Sequence, residues 1–143
     1  MGDHRGVTPA AATAARREIL LHLPMQPVDF PATDPGPGAL LVGMEAAEVM
    51  VRLDRALASV PGARGVNNHM GSAATADTLT MAVLMAELRR RRLFFVDSQT
   101  SDRSVAHAEA ARAGVPVLRN RIFLDHDEPQ PAVMRQRLAT LVE

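Results

Sequence analysis

Apolar side chains in this chain come in short compact runs separated by stretches in which they recur every three or four residues. Ile19, Leu20, Leu21 and Leu23 surround His22, and Pro24 is read as the stop to that run. A run this short with a breaker behind it predicts a buried strand. Pro27, Pro31, Pro35 and Pro37, together with Gly36 and Gly38, predict a long rigid loop, and loops of that length in a compact domain usually serve binding. Ala39 to Gly43 reads as another short strand. Over residues 45–59 the apolar positions Val49, Leu53 and Leu57 alternate with Glu48, Arg52 and Arg55, an amphipathic helix closed by Pro61-Gly62. Gly65 to Asn68 predicts a strand, and a second helix is expected from an N-cap at Thr75 to about Arg91, with Met81, Leu84, Met85 and Leu88 on one face. Leu93 to Val96 predicts a third strand, followed by an Ala-rich helix over 102–113 that ends at Gly114. Val115 to Leu118 and Ile122 to Leu124 are short strand candidates, and Val133 to Val142 is a last helix with Met134, Leu138 and Leu141 on one side. Residues 1–17 read as a loosely ordered segment with a short helix over Ala10 to Arg17, and residues 18–143 as the domain.

Strands alternating with helices across short connections specify βαβ units and a parallel sheet, in a barrel or doubly wound. In such sheets the carboxyl ends of the strands share one edge, where sites form. His22 stands at the end of the first run, Asn67, Asn68 and His69 at the end of the next, Asp97 after the third and Asp125 after the last. Two imidazoles and a carboxylate converging from distant positions suit zinc or another first-row divalent metal. A metal with an open position polarises a carbonyl and activates water, which makes amide or ester hydrolysis the natural reaction class. Each residue also has a structural reading. A lone His near a strand end is commonly a hydrogen-bonding residue, Asp97 before a helix is a natural cap, and Asp125, His126, Asp127 and Glu128 together read as a solvated loop. His4 and His107 have no supporting pattern.

Composition narrows the classes. Lys and Arg number 16 against 16 Asp and Glu, so net charge gives no reason to expect nucleic acid or an anionic membrane as partner. The Arg89 to Arg92 run sits at a helix carboxyl end, where cations favour the macrodipole. Trp and Tyr are absent, which weighs against base-stacking platforms and a broad sugar-stacking groove. With no Cys, thiol catalysis and Cys-based zinc sites are excluded. No apolar run reaches membrane-spanning length, and residues 1–17 lack the apolar core of a secretory signal, so the chain as written reads as cytoplasmic.

Several strings taken together resemble one family. Leu21-His-Leu-Pro-Met-Gln-Pro27, Asp34-Pro-Gly-Pro37, Gly65-Val-Asn-Asn-His-Met-Gly-Ser72 and Phe95-Val-Asp-Ser98 are similar, in order and spacing, to the successive motifs of the divergent polysaccharide deacetylases. Phe123-Leu-Asp125 and Gln136-Arg-Leu138 resemble that family's closing motif and final helix. The resemblance implies a distorted (β/α) barrel of parallel strands with outer helices, its first strand or strands missing from this chain. It implies a divalent metal, zinc by preference, held by His22 and His69, with Asp97 as catalytic carboxylate. Asn68, Ser72 and Gln26 become substrate-binding positions for a glycan. Members are similar to envelope-associated proteins that hydrolyse N-acetyl groups of amino-sugar polymers.

This sequence also departs from the family pattern. It has no Asp-Asp pair ahead of the His-Leu-Pro-Met segment, it has Gln26 where Glu is usual, and it has Ala73, Ala74 and Gln99 where Arg and apolar positions are usual. Without the Asp pair the chain lacks a ligand and the general base, so on its own it is expected to be inactive. A non-catalytic glycan-binding or scaffold fragment is the alternative. An open sheet edge further leads us to expect a truncated reading of the gene, a natural fragment, or a homo-oligomer that covers the edge.

Overall fold

The computed structural model describes residues 17–123 and 130–142. Four strands form one sheet: β1 (Leu20–Met25), β2 (Gly65–Met70), β3 (Phe94–Asp97) and β4 (Val117–Arg119). They lie in the order β1-β2-β3-β4 and every pair is parallel. Helices α1 (Ala46–Ser59), α2 (Thr78–Arg91) and α3 (Ala106–Ala113) supply the crossovers, a 3₁₀ turn covers Ala74–Ala76, and α4 (Pro131–Val142) follows the last strand. The architecture is one arc of a (β/α) barrel, in agreement with the fold class expected from the sequence.

Alternation along the strands sorts the side chains onto two faces. Leu21, Leu23, Met25, Val66 and Phe95 point to one side and are buried there against Val49 and Leu53 of α1, Met81, Leu84, Met85 and Leu88 of α2, and Ala106 and Ala110 of α3. Each large apolar side chain removed from water in this layer contributes roughly 1.5–3 kcal/mol. The other face carries Leu20, His22, Asn67, His69, Val96 and Leu118. It is less covered than the core face: Leu20 is 39% and Leu118 62% exposed. In a complete barrel that face would be the interior.

Several boundaries differ from the sequence expectation. Pro24 does not stop β1, which runs on to Met25. The N–H and C=O of one strand residue point to the same edge, and the Pro24 carbonyl accepts from Leu40 N at 2.9 Å. The donor that proline lacks therefore belongs to the edge away from β2, where no ladder partner needs it. Ala39 to Gly43 is not a strand but touches the sheet through a single bridge between Met25 and Leu40. Asp77, not Thr75, caps α2, accepting from Thr80 N at 2.8 Å, while the Thr75 hydroxyl turns back to Gly71 O. Helix α3 begins at Ala106, after a turn in which Ser104 and Ser101 hydroxyls accept backbone N–H groups. Its carboxyl end is Gly114, in the left-handed conformation. Ile122 and Phe123 are not in a strand, and the rest of that expected strand, Leu124, lies outside the described residues. So do Asp125, His4 and all but the last residue of the helix expected over Ala10 to Arg17. Of the apolar face expected in α4, Leu138 is exposed and Met134 half-buried. No helix among the described residues is long and apolar enough to cross a membrane.

Candidate functional site

The carboxyl ends of the strands open into a cleft of about 680 Å³ whose lining includes His22, Asn67, His69, Ser98, Thr100 and Asn120. The strand register explains the convergence. His22 pairs with Asn67 and Pro24 with His69, so the two histidines stand diagonally on neighbouring strands and on the open face. Their rings meet edge to face, with centroids 4.9 Å apart and an interplanar angle of 62°. His22 Nε2 and His69 Nδ1 are 3.1 Å apart, a hydrogen bond in which one ring nitrogen donates and the other accepts. Partial burial pushes the His69 imidazole below its ordinary pKa, and charge on His22 acts in the same direction. A second hollow, of about 700 Å³, borders the outer edge of β1 and reaches His22 but not His69.

The carboxylates do not join this pair. Among the described residues no group of three His, Cys, Asp or Glu side chains is placed to hold a metal ion. Asp97 falls on the helix-covered side of the sheet with Phe95 and is completely buried. One carboxylate oxygen accepts from Gln99 N at 2.8 Å and the other from the Ser104 hydroxyl at 2.7 Å. It organises the turn that leads into α3, close to the capping role that Asp-Ser before a helix allows.

The expected substrate contacts are likewise engaged within the chain. Asn68 is only 1% exposed. Its Oδ1 accepts from Ser98 N at 2.8 Å and its Nδ2 donates to Met70 O at 2.7 Å and to Thr100 Oγ1 at 3.2 Å. The Ser72 hydroxyl accepts from Val28 N at 3.0 Å, and Gln26 Oε1 from Val42 N at 2.9 Å. Ser72 and Gln26 thus anchor the two ends of the proline-rich loop. Gln26 binds the segment after β2 as well, its carbonyl accepting from Ala73 N and Ala74 N at 3.1 Å each.

Sequence reasoning missed Thr100 and Asn120, whose side chains meet the cleft. Asn120 Nδ2 donates to Ser98 O at 3.4 Å and its Oδ1 accepts from Ile122 N at 3.2 Å. Neither residue sits in an apolar run or beside a His. Thr100 follows the left-handed Gln99, at φ 57°, and nothing in the sequence announces a positive φ at glutamine.

The chain belongs to the divergent polysaccharide deacetylase family, whose model matches residues 2–143. It is 45% identical over 130 residues to an uncharacterized protein of Haemophilus influenzae, covering 91% of this chain and 46% of the relative. It is 34% identical over 119 residues to the uncharacterized protein YibQ of Escherichia coli, covering 83% of this chain and 37% of the relative. The chain therefore spans less than half the length of these curated relatives. The crystal structure of an uncharacterized protein from Agrobacterium tumefaciens superposes with a TM-score of 0.86 at 29% identity, covering 97% of this chain and 57% of that one.

Proposed function

We propose that His22 and His69 hold a divalent metal at the mouth of this cleft, in the service of hydrolysing N-acetyl groups on an amino-sugar polymer. The observation that carries the reading is the 3.1 Å approach of His22 Nε2 to His69 Nδ1 on the open face of the sheet. Two nitrogen ligands of a tetrahedral zinc with Zn–N of about 2.0–2.1 Å are separated by roughly 3.3 Å, so a small ring rotation accommodates an ion. With no cysteine in the chain, imidazole donors suit zinc or a neighbouring first-row ion. Such an ion supplies carbonyl polarisation and an acidified water when bound. The chain's own part is to aim the two rings and to keep His69 neutral, since its lowered pKa leaves a lone pair free near neutral pH. The described residues furnish two donors, and a third would come from outside them. A polymer substrate of this kind would place the protein's work at the cell envelope.

A second reading, a glycan-binding or scaffold role without turnover, is favoured by the lack of a third metal donor among the described residues. One experiment separates the two. The zinc-supplemented chain is incubated with a chitooligosaccharide, while binding is followed by calorimetry and acetate release by an enzymatic assay. Acetate release that disappears in His69→Ala supports the hydrolase. Binding without acetate that requires zinc and His69 is the outcome expected of this chain, which lacks the Asp pair, whereas binding indifferent to zinc and to His69→Ala supports the scaffold role. Neither binding nor release contradicts both.

A further inference from the structure

Beyond the histidines themselves, we propose that Asn68 and Thr100 are positioning residues that fix the aim of His69 toward His22. The proposal builds on the reading of these two rings as a metal pair. His69 is followed by two residues of positive φ, Met70 at 52° and Gly71 at 86°, so β2 turns sharply straight after the imidazole. A non-glycine residue stays in that region only where its surroundings hold it there. The holding group here is a clamp on the Met70 carbonyl. It accepts from Asn68 Nδ2 at 2.7 Å and from the Thr100 hydroxyl at 2.8 Å. The two donors are bonded to each other, with Asn68 Nδ2 donating to Thr100 Oγ1 at 3.2 Å.

The same asparagine is tied to the segment after β3 from the other direction. Ser98 N donates to Asn68 Oδ1 and the Ser98 hydroxyl donates to the Asn68 carbonyl, each at 2.8 Å. The residues on both sides of His69 in the chain are thus clamped to one short segment, Ser98 to Thr100, while the His69 ring itself meets His22. The network is buried at Asn68 and faces outward at Thr100. Its geometry orients a backbone, not a substrate. Partners bonded directly to a metal-binding imidazole are worth about 10–100-fold in metal affinity; this clamp acts on the backbone beside the ring, so an effect at the low end is expected.

Thr100 gives the clean test, because it is exposed and Thr100→Val removes the hydroxyl with little change of shape. Two readouts are taken on the full chain: the ring ¹⁵N signals of His22 and His69 without metal, and Zn²⁺ affinity by calorimetry. We expect Thr100→Val to lose the hydrogen-bonded ring signature and to weaken Zn²⁺ about 10-fold, with the thermal midpoint nearly unchanged. Thr100→Ser restores both. Unchanged ring signals in Thr100→Val, or no restoration by Ser, would overturn the proposal. If the native chain binds no Zn²⁺ but its ring signals respond as expected, positioning stands and the metal reading falls.

Discussion

Gly71→Ala offers a demanding check on the turn that follows His69. Gly71 has a φ of 86°, and an added Cβ would lie 2.9 Å from the Met25 Cβ and 3.5 Å from the Asn68 Cβ. The Met25 Cβ is fixed to the β1 backbone and is fully buried, so no rotamer change relieves the contact. The left-handed backbone costs an alanine about 1–2 kcal/mol, and forcing a methyl into a packed site costs about 1–3 kcal/mol. The variant should therefore lose roughly 2–5 kcal/mol, a large share of a typical domain's stability. Gly62→Ala is the control. Its φ of 85° is nearly the same, but its nearest contact is Ile19 Cδ1 at 3.7 Å, so only the backbone cost applies. Urea unfolding, extrapolated linearly to water, measures both. Equal losses in the two variants, or a loss under about 1 kcal/mol for Gly71→Ala, would refute the reasoning.

Three further outcomes are expected. Removing the Asp97 carboxylate leaves Gln99 N and the Ser104 hydroxyl without their acceptor, so Asp97→Ala should cost roughly 3 kcal/mol or more in unfolding experiments; normal stability with lost metal binding would instead place Asp97 in the chemistry. In an NMR titration His69 should have its midpoint below 6.5, and His22→Ala should raise that midpoint only partway, because burial is the larger cause. For Glu87, burial pushes the carboxyl up, but bonds to Arg91 and Arg90 outweigh it and hold the folded pKa below 4.5. A folded pKa below the unfolded one means that the pair stabilises the protein above about pH 4.5 and that this contribution fades as pH falls through the folded value. Unfolding curves of native protein and Glu87→Gln should accordingly differ by about 1 kcal/mol or less at pH 7 and converge in acid.

Much of the fold was legible because burial here follows period. The β1, β2 and β3 apolar runs and the Met81, Leu84, Met85, Leu88 stripe each mark one covered surface, and the structure buries them together. The histidine pair was legible only in part: His69 sits near the carboxyl end of β2 as expected, whereas β1 runs on to Met25 and leaves His22 in mid-strand, where register and the shared open face bring it to His69. Side-chain direction was not legible. Asp97 ends β3 as expected, yet strand alternation puts it with Phe95 in the core, whereas His22 and His69 share the open face. A register shifted by one residue would have exchanged those faces. Pro24 misled because a proline reads as a breaker unless its edge of the strand is known. The Met70 turn is held by a hydrogen bond from Thr100, 30 residues away, which no local pattern encodes.

The measurement that bears most directly on the account is the metal content of the purified chain after equilibration with Zn²⁺ and removal of excess ion, set beside His22→Ala and His69→Ala. The predicted result is zinc taken up by the native protein through the His22–His69 pair and lost in both variants while their secondary structure is retained. Stoichiometric zinc that survives both substitutions, or a native chain that retains none, would contradict it.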